Sequence, residues 1–169
     1  MLRVSSCCDV IRILGIDPGS RATGYGIIDS QGTQLGFVAC GTIRTGSSGP
    51  MAERLLQIYE GLRKVIDLHA PDIAAVEDVF LSQNPRSALK LGHARGVAVL
   101  AAMRGGLRVH DYPPRVVKQA VVGYGQAGKD QVQHMVRVLL ALSSSPSSDA
   151  ADALAVAICH ANRMTVPGA

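Results

Sequence analysis

Apolar residues recur along this chain in two rhythms, and their alternation lays out the elements. Residues 11–17 (IRILGID) read as a buried strand. Residues 22–29 (ATGYGIID) alternate after a Gly-Ser turn and continue it as a hairpin, and 33–44 (TQLGFVACGTIR) supply a third strand. Gly-Ser-Ser-Gly-Pro at 46–50 ends this meander, and Pro50 opens a helix. Leu55, Ile58, Leu62, Val65 and Ile66 then recur at 3.6-residue spacing over 51–69, an amphipathic helix that Pro71 stops. DIAAVEDVF, 72–80, is a short apolar strand, and LSQNPRS after it is a loop. The Ala-, Leu- and Val-rich stretch 87–103 predicts a second helix, with Gly92 and Gly96 four residues apart. LRVHDY, 107–112, is a fifth strand, and Pro113-Pro114 opens a helix through Val122. GYGQAGK, 123–129, is a glycine-rich loop, and 130–142 is amphipathic again through Val132, Met135, Val136, Leu139 and Leu140. SSSPSS, 143–148, is a linker with capping chemistry for the last helix, DAADALAVAICHA. The order β-β-β-α-β-α-β-α-α-α marks an α/β protein, a three-stranded meander followed by alternating units.

Three of these apolar elements carry acids where acids are costly. Asp17 ends the first strand, Glu77 ends the fourth, and Asp149 and Asp152 open the last helix on one helical face. Either a local hydrogen bond satisfies Asp17 or a metal does. If the first and fourth strands are neighbours, Asp17 and Glu77 stand side by side at the C-terminal edge of the sheet, where open α/β sheets place their sites. The last helix packed across that edge would gather all four carboxylates. Bare, they would repel and raise one another's pKa. Hard divalent cations remove the conflict, and Mg²⁺ suits sparse carboxylate sites completed by water and phosphate. Two such ions activate a water and stabilise the leaving oxygen in phosphodiester hydrolysis. Singly, three of the acids have plainer readings. Asp149 after Ser-Ser favours the helix dipole, and Asp17 or Glu77 can be a capped strand-end acid. Asp152, one turn in among alanines, is harder to explain that way. Asp78 should point to the opposite face from Glu77 and reads as solvated.

Composition narrows the class. The 169 residues fit one domain able to bury roughly 70% of its unfolded surface. Net charge is +4, but it is unevenly spread. Between Arg86 and Arg137 nine Lys/Arg face two acids, whereas the remainder has eight bases and eleven acids. A basic segment of this kind suits a polyanion such as nucleic acid. Four scattered cysteines form neither a disulfide framework nor a zinc pair, which points to a reducing cytoplasm. No apolar run approaches 18 residues, so no membrane span is expected. Residues 1–11 read as an extension, 12–164 as the domain and 165–169 as a short tail.

Five blocks in order resemble the RuvC family of bacterial Holliday junction resolvases: GIDPGSRATGYGIID, VEDVF, NPRSALKLGHARGVAVLAA, VKQAVVGYGQAGKDQVQHMV and DAADALAVAICHA. The resemblance runs from Arg12 to His160. It implies a ribonuclease H-like fold with a mixed five-stranded sheet flanked by helices. It also implies a homodimer and metal-dependent paired cleavage of a four-way DNA junction in recombination and repair. The family's four catalytic, metal-binding acids fall on Asp17, Glu77, Asp149 and Asp152. The metal implied is Mg²⁺, with Mn²⁺ as substitute and two ions per site. Phe80 matches an aromatic that opens or stacks on bases, and Lys118 and Lys129 match phosphate-contacting lysines. Arg86 is a further DNA-contact candidate. Gly92 and Gly96 resemble the family's dimer-forming helix, although packing on their own sheet would use them equally well. The implied partner is the branch-migration helicase complex of RuvA and RuvB. His93 and His134 read as surface or satisfied histidines, and Cys159-His160 do not suit magnesium.

Three rivals share parts of the pattern. An actin- or sugar-kinase-like ATPase uses a hairpin like GIDPGSRATGYGI, but it needs a second such domain. A small ribonuclease H-like nuclease acting on RNA shares GID-x-G but lacks the blocks around Phe80 and Lys118. A non-catalytic junction binder would gain by losing acids beside phosphates.

Overall fold

The computed structural model describes residues 9–46, 48–78 and 84–164. The ten expected elements are all present: β1 (Ile11–Asp17), β2 (Ala22–Gln31), β3 (Gln34–Arg44), α1 (Met51–His69), β4 (Ile73–Glu77), α2 (Pro85–Arg104), β5 (Arg108–Tyr112), α3 (Pro114–Val122), α4 (Lys129–Leu139) and α5 (Ser148–Met164). They build one five-stranded sheet in the order β3-β2-β1-β4-β5. The meander is antiparallel, whereas β1, β4 and β5 run parallel. This is the mixed sheet of the ribonuclease H-like fold. Among the described residues, no helix is long and apolar enough to cross a membrane.

The pleat divides the core into two layers. Leu14, Ile16, Ile27 and Val76 face α1 and α2, packing against Ile58, Leu62, Ala94 and Ala98. Ile13, Ile28 and Ala75 face the other way, against α3, α4 and α5. Residues 150–161 of α5 are buried, apart from the half-buried Asp152, so this helix has almost no solvent face. Its alanines let it approach closely, and the sheet answers with Gly15 on β1. A Cβ on Gly15 would overlap the Ala153 carbonyl oxygen and lie 2.8 Å from the Ala157 nitrogen.

Arg12 ties the opposite end of the sheet together. Its guanidinium donates to both carboxylate oxygens of Asp29 on β2, at 2.8 and 3.0 Å, and to the His69 carbonyl at the end of α1. Its backbone N–H donates to Asp72 just before β4. Two alanines beyond helix ends take a left-handed conformation. Ala70 follows α1 with φ 46°, and Ala141 follows α4 with φ 50°.

Several boundaries differ from the sequence reading by one to three residues; β2 runs on to Gln31 and α4 stops at Leu139, and two differences bear on the site. β4 ends at Glu77, although the Asp78 N–H still donates to the Tyr112 carbonyl at 2.9 Å. Helix α2 begins at Pro85 rather than 87, because Asn84 caps it by accepting from the N–H groups of Arg86 and Ser87. The expected extension and tail lie largely outside the described residues, and β1 starts at Ile11.

His160, on α5, is 3% exposed, and its Nδ1 lies 2.6 Å from the Tyr112 hydroxyl of β5. Burial first, then the neighbouring His110, holds the imidazole down to about 4 from its ordinary 6.5. The unfolded chain therefore binds this proton more tightly than the native state. Its stabilising contribution is complete above pH 6.5 and is lost as pH falls toward 4. Urea unfolding at pH 7 and pH 4.5 should show His160→Gln losing less stability than wild type, by roughly 2 kcal/mol. Parallel losses would mean that His160 does not titrate below its unfolded value.

Candidate active site

Register and pleat bring the acids together. β1 and β4 pair in parallel with Ile16 opposite Val76, so Asp17 and Glu77 stand level at the C-terminal ends of adjacent strands. Both share the face of Gly15 and Ala75, the face that α5 covers. Asp152, one turn into α5, joins them in one cleft of about 260 Å³. Lys118 from α3 and Lys129 from α4 complete its polar wall, with Pro114, Val117, Val132 and Ala155 as the apolar part.

The electrostatics are those of carboxylates crowded out of water. Burial, followed by the charges of Glu77 and Asp152, pushes the Asp17 carboxyl up to about 8. Asp17 and Glu77 act directly on each other's ionisation, so protonating one of the two relieves the repulsion between them. Burial also raises Glu77, with Lys118 and Lys129 opposing it. Burial raises Asp152 against the pull of Lys129, whose Nζ lies 3.7 Å from the Asp152 carboxylate. Asp149 is half-buried at the first turn of α5; it stands outside the cleft wall, but its charge acts on both Asp17 and Asp152.

Among the described residues, no three His, Cys, Asp or Glu side chains converge closely enough to chelate an ion. The donor set nevertheless fits a hard divalent cation. It consists of carboxylate oxygens, it is partly withdrawn from water, and a proton and a lysine supply the positive charge that such a cation would bring.

The other sequence candidates fall in different places. Phe80 lies outside the described residues. Arg86 is exposed on the first turn of α2 and is not part of the cleft wall. His93 and His134 are exposed. Cys159 and His160 contact Val116 and Tyr112, away from the acids. Asp78 faces the α2 layer and is exposed, as expected; in addition, Arg95 Nε lies 3.4 Å from its carboxylate. The same guanidinium contacts Asp111 of β5 at 2.7 Å. The alternation of faces gave the direction of Asp78 but no partner. The turn after Asp17 is closed by Thr23, whose hydroxyl donates to the Gly19 carbonyl at 2.9 Å. No sequence signal singled out that threonine.

Comparison with known proteins adds to this geometry. The family model "Crossover junction endodeoxyribonuclease RuvC" matches residues 13–160. A protein of that name from Azorhizobium caulinodans is 54% identical over 153 residues, covering 90% of each chain. One from Acinetobacter baylyi is 57% identical over 150 residues, covering 89% of this chain and 82% of its own. Among solved structures, Thermus thermophilus RuvC in complex with a Holliday junction substrate superposes with a TM-score of 0.85 at 34% identity, over 92% of this chain and 95% of that one.

Asp17 gives a test that does not depend on activity. Its folded pKa of about 8 exceeds the ordinary 3.8, so the native state binds this proton more tightly than the unfolded chain. Stability from this group is therefore full below pH 4 and falls as pH rises toward 8. In chelator at pH 8, Asp17→Asn should be more stable than wild type by about 1–3 kcal/mol, the range for an uncompensated buried polar group. Adding magnesium should stabilise wild type in thermal unfolding and leave Asp17→Asn unmoved. A variant no more stable than wild type would show that Asp17 is not under electrostatic stress.

Proposed function

This chain belongs to the crossover junction endodeoxyribonuclease RuvC family, and from that premise we propose how its own residues perform the cut. The observation that carries the reading is the single cleft in which Asp17, Glu77 and Asp152 face Lys118 and Lys129. The substrate is a four-way DNA junction, and the product is a pair of symmetric nicks made during recombination and repair.

Asp17, Glu77, Asp149 and Asp152 are the residues to hold divalent metal, two magnesium ions with manganese as substitute. A divalent metal held there would supply the activation of water and the stabilisation of the leaving oxygen of the scissile phosphodiester. Asp17 forms the floor of the site. Anchored at the end of a central strand, it has little freedom to move, and it fixes the position about which the other carboxylates gather. Lys118 and Lys129 approach from two helices and neutralise the phosphate that the acids would otherwise repel. The apolar wall of Val117, Val132 and Ala155 limits water on that side. Phe80 stacks on a base opened at the junction, and Arg86 adds a backbone contact on the same DNA.

Two cuts require two sites, and a two-fold pair of chains supplies them. Helix α2 is the surface for that pairing. It exposes Leu89, Leu100 and Met103, and a Cβ on Gly92 or Gly96 would meet nothing within 4 Å. Both glycines therefore face away from their own sheet. The branch-migration complex of RuvA and RuvB is the partner that delivers the junction. The DNA substrate places the site of action in the cytoplasm.

Purified protein offered a four-way junction, a matched linear duplex and an RNA hairpin, with magnesium or chelator, tests this reading. Paired nicks should appear on the junction alone and need magnesium, and Asp17→Asn should cut more than about 100-fold more slowly while still binding. Binding should weaken steeply between 50 and 200 mM salt, as counterion release requires. Cleavage of the RNA instead would overturn the substrate, and magnesium-independent cleavage would overturn the role of the acids.

A further inference from the structure

Two of the four acids sit on a helix, so their distance from Asp17 depends on how the start of that helix is held. Asp17 pairs across the hairpin with Gly24, and Gly15 pairs with Gly26, so these residues share the face on which α5 lies. A Cβ on Gly24 would overlap the Asp149 carbonyl oxygen and lie 2.6 Å from its carbon and 3.3 Å from its Cα. These are backbone atoms of α5, so no side-chain rotation can relieve the overlap. Gly24 itself pairs with Thr42 on β3. The Thr42 hydroxyl lies 3.2 Å from that of Ser147, the residue just before α5. The Gln133 amide of α4 holds the preceding Pro146 carbonyl at 2.5 Å. The register position beside Asp17 is thus the place where the sheet meets the first turn of α5.

We infer that Gly24 and Thr42 are positioning residues for the metal-binding site: Gly24 leaves the room that the Asp149 backbone fills, and the Thr42–Ser147 hydroxyl contact holds the helix start in it. This rests on the reading of the four acids as the metal-binding set. Neither residue touches the reacting phosphate. A side chain at position 24 lifts the helix start off the hairpin, which separates Asp149 and Asp152 from Asp17 and Glu77 without removing a ligand. Loss of the Thr42 hydroxyl loosens the same turn more gently.

The experiment measures three quantities for each full-length variant: junction affinity in chelator, stability in urea, and the magnesium concentration giving half-maximal junction cleavage. Gly24→Ala should raise that concentration at least about 10-fold and Thr42→Val about threefold, the size of effect seen when ligands are displaced rather than deleted. Junction affinity in chelator should stay within about twofold, because the phosphate-contacting lysines are on other helices. Thr42→Ser keeps the hydroxyl and should restore the wild-type requirement. Gly41→Ala is the control for destabilisation, since its Cβ would strike the Tyr25 ring, 2.8 Å from Cζ, rather than α5. A wild-type magnesium requirement in Gly24→Ala and Thr42→Val would overturn the inference, as would an equal shift in Gly41→Ala. If Gly24→Ala does not fold, the comparison of Thr42→Val with Thr42→Ser decides. A wild-type enzyme that cuts without divalent cation would instead overturn the reading of the acids, a separate failure.

Discussion

Helix α5 meets the sheet backbone directly at Gly15 and Gly24, and most of the molecule follows from that contact. Glycines beneath it and alanines along it bring main chain against main chain at Gly15 and Ala153. Such an approach leaves no room for a larger side chain than alanine at Ala153 and Ala157, while Leu154, Val156 and Ile158 fill the core beside the crossing. It also decides where the helix begins. Its first turn overhangs the C-terminal ends of β1 and β4, so acids placed there can reach Asp17 and Glu77. The other helices then cover what α5 leaves open, α3 and α4 beside it and α1 and α2 across the sheet.

The charge cluster works against this close packing. Three carboxyl groups are raised by burial, which shows that the folded chain holds them in tension with their solvation. Lys118 and Lys129 relieve part of it from the cleft wall. The tension is confined to one edge, however. At the other end of β1, Arg12 and Asp29 form an ion pair with the opposite character, in which the guanidinium holds the Asp29 carboxyl below its ordinary range. The sheet is therefore electrostatically satisfied at one end and electrostatically loaded at the end where chemistry takes place.

Much of this could be read from the residues. The apolar rhythm gave all ten elements, because long strands and amphipathic helices leave strong periodic traces. The convergence of Asp17, Glu77 and Asp152 followed from strand parity and one assumption about neighbours, which the sheet order bears out. What stayed hidden depended on contacts without a local signature. Asn84-Pro85 looked like loop because the two residues that open α2 are also loop formers. The partner of Asp78 is on a helix 17 residues further on and in the other layer, so alternation could name a face but not Arg95. Gly24 looked like any strand glycine; only the approach of the Asp149 backbone separates it from the turn glycines nearby.

Ala70 and Ala141 carry a different consequence. Each holds a left-handed backbone conformation that costs an alanine roughly 1–2 kcal/mol and a glycine little. Both lie at the exits of helices remote from the acids. The fold thus tolerates local strain at two places where one codon change would relieve it, while also bearing a crowded, partly desolvated charge cluster. Both burdens are set against a total stability that for native domains is only about 5–15 kcal/mol. Relieving a left-handed alanine needs only a glycine, whereas relieving the carboxylates needs a counter-charge, so the two burdens are lifted by unrelated means.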